Sequence, residues 1–320
     1  MAALSVFHEI PEIPTSESRL PVPTFRTVQK PDKLDLGIRE YCADNGQPWT
    51  PPVVRKVQQQ IMHDPTLNYD YLPVQGLPEF NRATTALILG KHSIAIVEKR
   101  ADSIQVPGGN AALSIAAQFL KQWYTICHPK AAAVYVPLPS WEAPMFAFHS
   151  AGFQHLFKYR YWDSVNLCFA TQQWLEDLEN APEYSIVVLH IAAHWPTAMD
   201  PTSAEWRQTA EVMKRKKHFP FFYMTAQGLA SGHLGRDAWP VRHFVTERFE
   251  LFCAQSFSKN FGLYNERVGS LTVVSRDNNT LVRIRSQMEL IARCSWSNPP
   301  RFGARIVATI LNNPAFFAEW

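Results

Sequence analysis

From Gln105 onward the chain alternates short apolar runs with segments of helical length, and that alternation restricts it to a layered α/β architecture. The clearest runs are Val134–Pro137, Ser185–His190, Phe219–Tyr223 and Leu251–Ser256. The segments between them are long enough for the crossover helices that parallel strands require. The fold class read from this pattern is α/β with a mostly parallel central sheet flanked by helices. At 320 residues, 46% of them hydrophobic, the chain can bury one large domain and a smaller appendage.

Residues 1–50 read differently. Pro11, Pro14, Pro21 and Pro23 interrupt a polar stretch, which predicts an extended arm together with part of a small domain, leaving 51–320 as the large domain. Within that domain, Thr202 with Glu205 forms a capping-box pattern at a helix start. The same segment ends in Lys214–Lys217, read either as a last turn complementing the helix dipole or as a nuclear-import signal.

In open α/β sheets, ligands gather beyond the carboxyl ends of the strands. His194–Ala198, Tyr223–Ala226 and Ser256–Lys259 each follow a predicted strand, so all three are expected to rim one crevice. Pro107-Gly-Gly-Asn110 adds a tight turn into an apolar helix, with Asn110 as the expected N-cap. Exposed amides at that helix start suit a phosphate, and a capped helix without ligand is the alternative.

Ser256-Phe-Ser-Lys259 sets a lysine among hydroxyls, and Arg267 follows eight residues later. A lysine amine attacks carbonyls when its surroundings keep it unprotonated. An aldehyde cofactor held as a Schiff base needs such an amine and a cationic phosphate anchor.

Composition narrows the field to small-molecule chemistry. Thirty-one basic against twenty-eight acidic residues leave a net charge of +3, too little to organise a nucleic-acid or membrane surface. Cys42, Cys127, Cys168, Cys253 and Cys294 are scattered and form no C-x-x-C pair, which argues against a disulfide framework or a zinc site. The first residues lack a basic n-region and a sustained apolar run, so the expected setting is cytoplasmic.

Four segments carry a resemblance to a family: Asn68–Gly76, Trp141-Glu142 after Pro139-Ser140, Ala254–Gly269, and Trp296–Pro300. On these, the chain resembles the cytosolic aspartate aminotransferases, pyridoxal-phosphate enzymes of fold type I, over nearly its whole length. The resemblance implies transfer of an amino group between L-aspartate and 2-oxoglutarate, with pyridoxal 5′-phosphate as cofactor and a dimer as the working form. It implies that Lys259 carries the cofactor and shuttles a proton. Ser256, Arg267, Gly109 and Asn110 would hold the phosphate, joined by Tyr71 from a second subunit. Trp141 would stack on the pyridine ring. Arg293 would reach across the dimer to a substrate carboxylate, where a guanidinium fork suits a dicarboxylate, or would form a structural ion pair.

Against that pattern the ring-binding set is substituted. Tyr223 stands where the family has the acid that pairs with the pyridine nitrogen, and Pro144 where it has the histidine supporting that acid. Trp195 and Ala226 replace the two donors to the cofactor's phenolic oxygen, and the indole either intrudes on the ring site or packs under a loop. Arg39 replaces a glycine at the substrate's edge, where a side chain obstructs close approach. A neutral phenol, with a reference pKa near about 10, supplies no ring-side charge. Family members also continue beyond position 320, so the expectation is a truncated product or a paralogue with an incomplete small domain. The two functions in view are therefore a weakened aminotransferase and a catalytically inert paralogue that pairs, as homodimer or heterodimer, with an intact enzyme.

Overall fold

The structure is a computed structural model, and it describes residues 5–11, 29–30, 40–129 and 133–320. The chain divides into two units, Met1–Tyr41 and Cys42–Trp320. In the first, a turn over residues 5–11 is held by the His8 amide donating to the Ser5 carbonyl at 3.1 Å. Arg39 lies outside the described residues.

The second unit is built on a seven-stranded sheet in the order β1-β9-β8-β7-β6-β2-β3. Its strands are β1 (Ala101–Val106), β2 (Ala133–Leu138), β3 (His155–Arg160), β6 (Ile186–Ile191), β7 (Phe219–Met224), β8 (Leu251–Ser256) and β9 (Gly269–Val274). A small antiparallel ribbon pairs β4 (Trp162–Asp163) with β5 (Cys168–Phe169). The five strands from β8 to β3 run parallel, and β9 is antiparallel to both β1 and β8. All four strands expected from sequence are present and adjacent.

Side chains alternate across the sheet and fill a core on each face. On one face Val134, Val136, Ile186, Val188, Phe221, Phe252 and Ala254 pack with the helices Gly109–Phe119, Ala143–Ser150 and Asn278–Ser295. On the other, Val187, Leu189, Phe222, Met224, Leu251 and Cys253 meet the helices Thr171–Asn180, Ser203–Arg215 and Trp239–Thr246. Each fully buried large side chain contributes about 1.5–3 kcal/mol, which makes this sheet a rigid platform for the groups at its strand ends.

A third cluster fixes the loop that follows β8. Phe257 and Phe261 are buried among Val53, Val57, Phe80, Ile306 and Ile310, on the helices Pro52–Met62, Pro78–Leu89 and Arg301–Asn312. Their edge-on rings lie 5.7 Å apart and flank half-buried Lys259 in sequence. Gly262 closes the loop at φ +65°, where a methyl group would approach the Thr50 Cα to 2.9 Å. Trp320 stacks on Phe261 at 4.5 Å and donates through Nε1 to the Asn260 carbonyl at 2.9 Å. The terminal helix Pro314–Glu319 is N-capped by Asn313 and tied to this cluster, so a segment too short to persist alone is held by packing.

The expected capping box is present: the Glu205 amide donates to Thr202 Oγ1 at 3.3 Å, and the Thr202 amide donates to Glu205 Oε2 at 2.6 Å. Asn110 is a correction. The helix is capped by Gly108 at φ +88° and starts at Gly109, which leaves Asn110 exposed inside the first turn. Glycine enters the left-handed region without strain, and that outweighs the side-chain capping preference of asparagine. No helix among the described residues is long and apolar enough to cross a membrane.

Candidate active site

Register brings the predicted crevice together. His190 on β6 is level with Tyr223 on β7, which is level with Ala254 on β8. The strands therefore end nearly flush, and the segments beyond them converge.

One side of the crevice is a cup for an anion. Ser258 donates through its amide to Ser256 Oγ at 3.3 Å, and the two hydroxyl oxygens are 3.2 Å apart. Arg267 Nη1 donates to the Tyr264 carbonyl at 2.9 Å and reaches Ser258 Oγ at 3.4 Å. The backbone of Arg267 is itself left-handed at φ +52°, a conformation that costs a non-glycine residue energy and that clusters at functional sites. Gly108 lies so close to the Arg267 guanidinium that a Cβ there would strike Nη2. No side chain caps the Gly109–Phe119 helix, so its first amides and the positive end of its dipole face this cup.

The other side is aromatic. The Tyr223 ring sits 5.2 Å from Trp141, tilted by 51°, and 5.5 Å from His190. A Cβ built on Gly109 would lie 2.9 Å from Tyr223 Oη and 3.1 Å from Ser256 Cβ. The phenol thus spans from β7 to the helix start and is only 3% exposed. Burial pushes its pKa far above the usual tyrosine range, with a small opposing pull from Arg267.

The turn after β6 is organised by Asp200, which accepts the Ala193 and His194 amides at 2.7 and 3.2 Å. Ala192 and Ala193 are both left-handed there, at φ +61° and +63°. The turn carries Trp195 out over Lys259, whose Nζ is 5.9 Å from the indole centroid. Such a face attracts an ammonium. The indole is 41% exposed, so Trp195 covers the lysine and is not packed beneath a loop. Its amide donates to His190 Nδ1 at 3.2 Å, which puts the His190 proton on Nε2. Burial holds His190 well below the ordinary histidine pKa, aided by nearby His194 and Lys259, and takes His194 down to about 3.

Of the residues predicted from sequence, Gly109, Trp141, Trp195, Tyr223, Ser256, Lys259 and Arg267 converge here. Pro144 and Ala226 are buried, and neither side chain offers a polar atom. Tyr71 is 88% exposed, and Arg293 is exposed and pairs with Glu289 at 3.5 Å. Sequence reasoning passed over Gly108, Ser258 and His190. Ser258 lies inside the quoted lysine motif, and the hydroxyl two residues from Ser256 was the available signal. Among the described residues no cluster of histidine, cysteine or carboxylate side chains could hold a metal ion. The arrangement offers a hydroxyl- and guanidinium-lined cup, an amine beside it, and an aromatic wall.

Comparison with known proteins places this geometry among relatives. The family model for aminotransferase class I and II matches residues 31–320. The chain is 52% identical over 318 residues to the cytoplasmic aspartate aminotransferase of Gallus gallus, covering 99% of this chain and 77% of that one. It is 43% identical over 317 residues to the cytoplasmic aspartate aminotransferase of Caenorhabditis elegans, covering 99% and 76%. In structure it is similar, with a TM-score of 0.93 and 32% identity, to an aromatic-amino-acid aminotransferase from Burkholderia pseudomallei covalently bound to pyridoxal phosphate, over 99% of this chain and 77% of that one.

Proposed function

Because this chain belongs to the class I and II aminotransferase family, we propose that it is an aspartate-aminotransferase-type protein, binding pyridoxal 5′-phosphate weakly and handling an amino acid and a 2-oxo acid with little turnover. The observation that carries the reading is the convergence of Lys259 with Ser256, Ser258 and Arg267 at a helix start that no side chain caps. The cytoplasmic relatives support a cytosolic setting, and a homodimer is the assembly this reading assumes.

Against the cofactor, the residues fit at one end and not at the other. At the phosphate end, Arg267 supplies a cation, and the two serines and the Gly109 and Asn110 amides supply donors. At the ring end, the buried Tyr223 phenol stands where a carboxylate would be needed, Ala226 offers no donor, and Trp195 turns its ring face toward Lys259. When bound, the cofactor supplies an aldehyde for amines and a ring that withdraws electrons once its nitrogen is protonated. Tyr223 stays neutral and cannot hold that proton in place. If the missing charge is worth about 3 kcal/mol of transition-state stabilisation, its loss costs on the order of a hundredfold in rate.

A second reading is an inert paralogue that pairs with an intact aminotransferase. The observation favouring it is that Tyr223, Pro144 and Ala226 together replace the polar ring-side set and are all buried. Borohydride reduction of the protein mixed with pyridoxal phosphate separates the two. A trapped adduct seen by mass spectrometry, absent in Lys259→Ala, supports the cofactor-binding reading. No adduct at saturating cofactor leaves only the inert partner.

A further inference from the structure

The Tyr223 side chain is longer than the carboxylate it replaces by about the size of the ring that a carboxylate there would face. Its Cα is fixed on the central strand β7, level with His190 and Ala254, so the extra length cannot retreat into the sheet. It extends forward until its hydroxyl meets Gly109, the first residue of the helix that forms the anion cup. Trp141, the residue expected to stack on a bound ring, is already engaged by the phenol at 5.2 Å. The His190 ring also lies 5.5 Å from the phenol. The phenol is almost fully buried, so nothing of its thickness is left open beside it.

We propose that the Tyr223 phenol is an internal occupant of the slot that the cofactor's ring would take, so that the chain plugs its own ring site while leaving the anion cup of Ser256, Ser258 and Arg267 accessible. This rests on the cofactor-binding reading above and changes its cause: the first obstacle is steric and precedes any loss of ring-side charge. A phosphate with no ring enters the cup past the phenol. A phosphate carrying a pyridine ring enters only when the Tyr223 side chain is displaced.

The test is a titration of wild type, Tyr223→Ala and Tyr223→Phe with pyridoxal phosphate, followed by absorbance and by borohydride-trapped mass, alongside calorimetric titration with inorganic phosphate. The expected result is that Tyr223→Ala binds pyridoxal phosphate at least about tenfold more tightly than wild type, since a ligand needs a preformed cavity of its own shape. Tyr223→Phe, which fills the same volume, should behave as wild type, and phosphate affinity should agree within about threefold across all three. Should the alanine variant not fold, Tyr223→Leu, which frees the outer half of the slot, is read the same way.

The proposal is overturned if the smaller side chains do not tighten cofactor binding, if Tyr223→Phe tightens it as much as Tyr223→Ala, or if phosphate affinity rises in step with cofactor affinity. Wild type forming the adduct with no gain in Tyr223→Ala removes this inference and leaves the cofactor-binding reading standing. An adduct in Tyr223→Ala alone supports the plug and removes weak cofactor binding from the native chain. No adduct in any variant removes both.

Discussion

At the residue scale, the strand ends hold titratable groups that burial keeps neutral. His194 stacks on Tyr161 at 3.8 Å and bonds Thr197 Oγ1 through Nδ1 at 2.8 Å, and burial takes its pKa down to about 3. His190 and His218 are lowered for the same reason. An unfolded histidine takes up a proton near its reference value of about 6.5, whereas the folded chain resists it, so the unfolded state binds more protons below that pH. Stability is therefore full above about pH 6.5 and falls as the pH drops. Asp200, raised by burial, acts with the opposite sign: its contribution is present at low pH and is lost as the pH rises through its folded value. We expect His194→Gln to reduce the loss between pH 7 and pH 5 by about 1–2 kcal/mol, measured from urea midpoints at the two pH values. Equal losses in wild type and variant would show that His194 does not titrate on unfolding as argued.

At the scale of elements, legibility followed burial. Val134–Pro137, Ser185–His190, Phe219–Tyr223 and Leu251–Ser256 became central strands because each is apolar on both faces, as a parallel sheet covered by helices demands. The edge strand β3 was not legible: His155, Phe157, Lys158 and Arg160 are exposed, so no apolar run marks it. The antiparallel pairing of β9 with β1 and β8 was equally hidden, since strand direction is set by which connections close and not by local composition. Caps divided in the same way. Thr202 and Glu205 were readable because both partners of a capping box are local, whereas Asn110 lost its role to Gly108, two residues earlier, whose positive φ no local pattern announced. Glu205 also accepts from Thr171 Oγ1 on the neighbouring helix, which ties the cap to tertiary packing. Thr202→Ala should cost about 1 kcal/mol in a thermal or urea melt. The cap is remote from the cup, so the borohydride adduct should be unchanged in yield. A stability change under about 0.3 kcal/mol would mean that water replaces the lost hydroxyl at this helix start.

At the scale of the whole molecule, the sequence marked most of the crevice but not how its parts meet. Lys259, Ser256 and Arg267 were visible as a motif, and Tyr223 and Trp195 as departures from a pattern. That the phenol reaches the helix start at Gly109 is a product of sheet register and strand length, which no local pattern encodes. One expected contributor, Tyr71, is 88% exposed and its neighbour Tyr69 98%, in a segment anchored by Arg301 Nη1 donating to the Asn68 carbonyl at 3.2 Å. Two exposed tyrosines on a tethered loop fit a surface that a second copy of the chain covers, since aromatic side chains are enriched at such contacts. If Tyr71 completes the phosphate cup of a second copy, its removal should act through assembly and binding, and hardly at all on the fold. Tyr71→Ala should melt within about 0.5 kcal/mol of wild type, as an exposed side chain does. Its pyridoxal phosphate affinity, measured in the Tyr223→Ala background where the ring slot is open, should fall about tenfold, the equivalent of one lost charge-assisted hydrogen bond. If the chain pairs with a second copy as proposed, dilution of the intact chain until light scattering reports a monomer should reproduce the same weakening. A variant that melts early but binds cofactor normally would place Tyr71 within its own subunit's packing, and the shared cup would have to be given up.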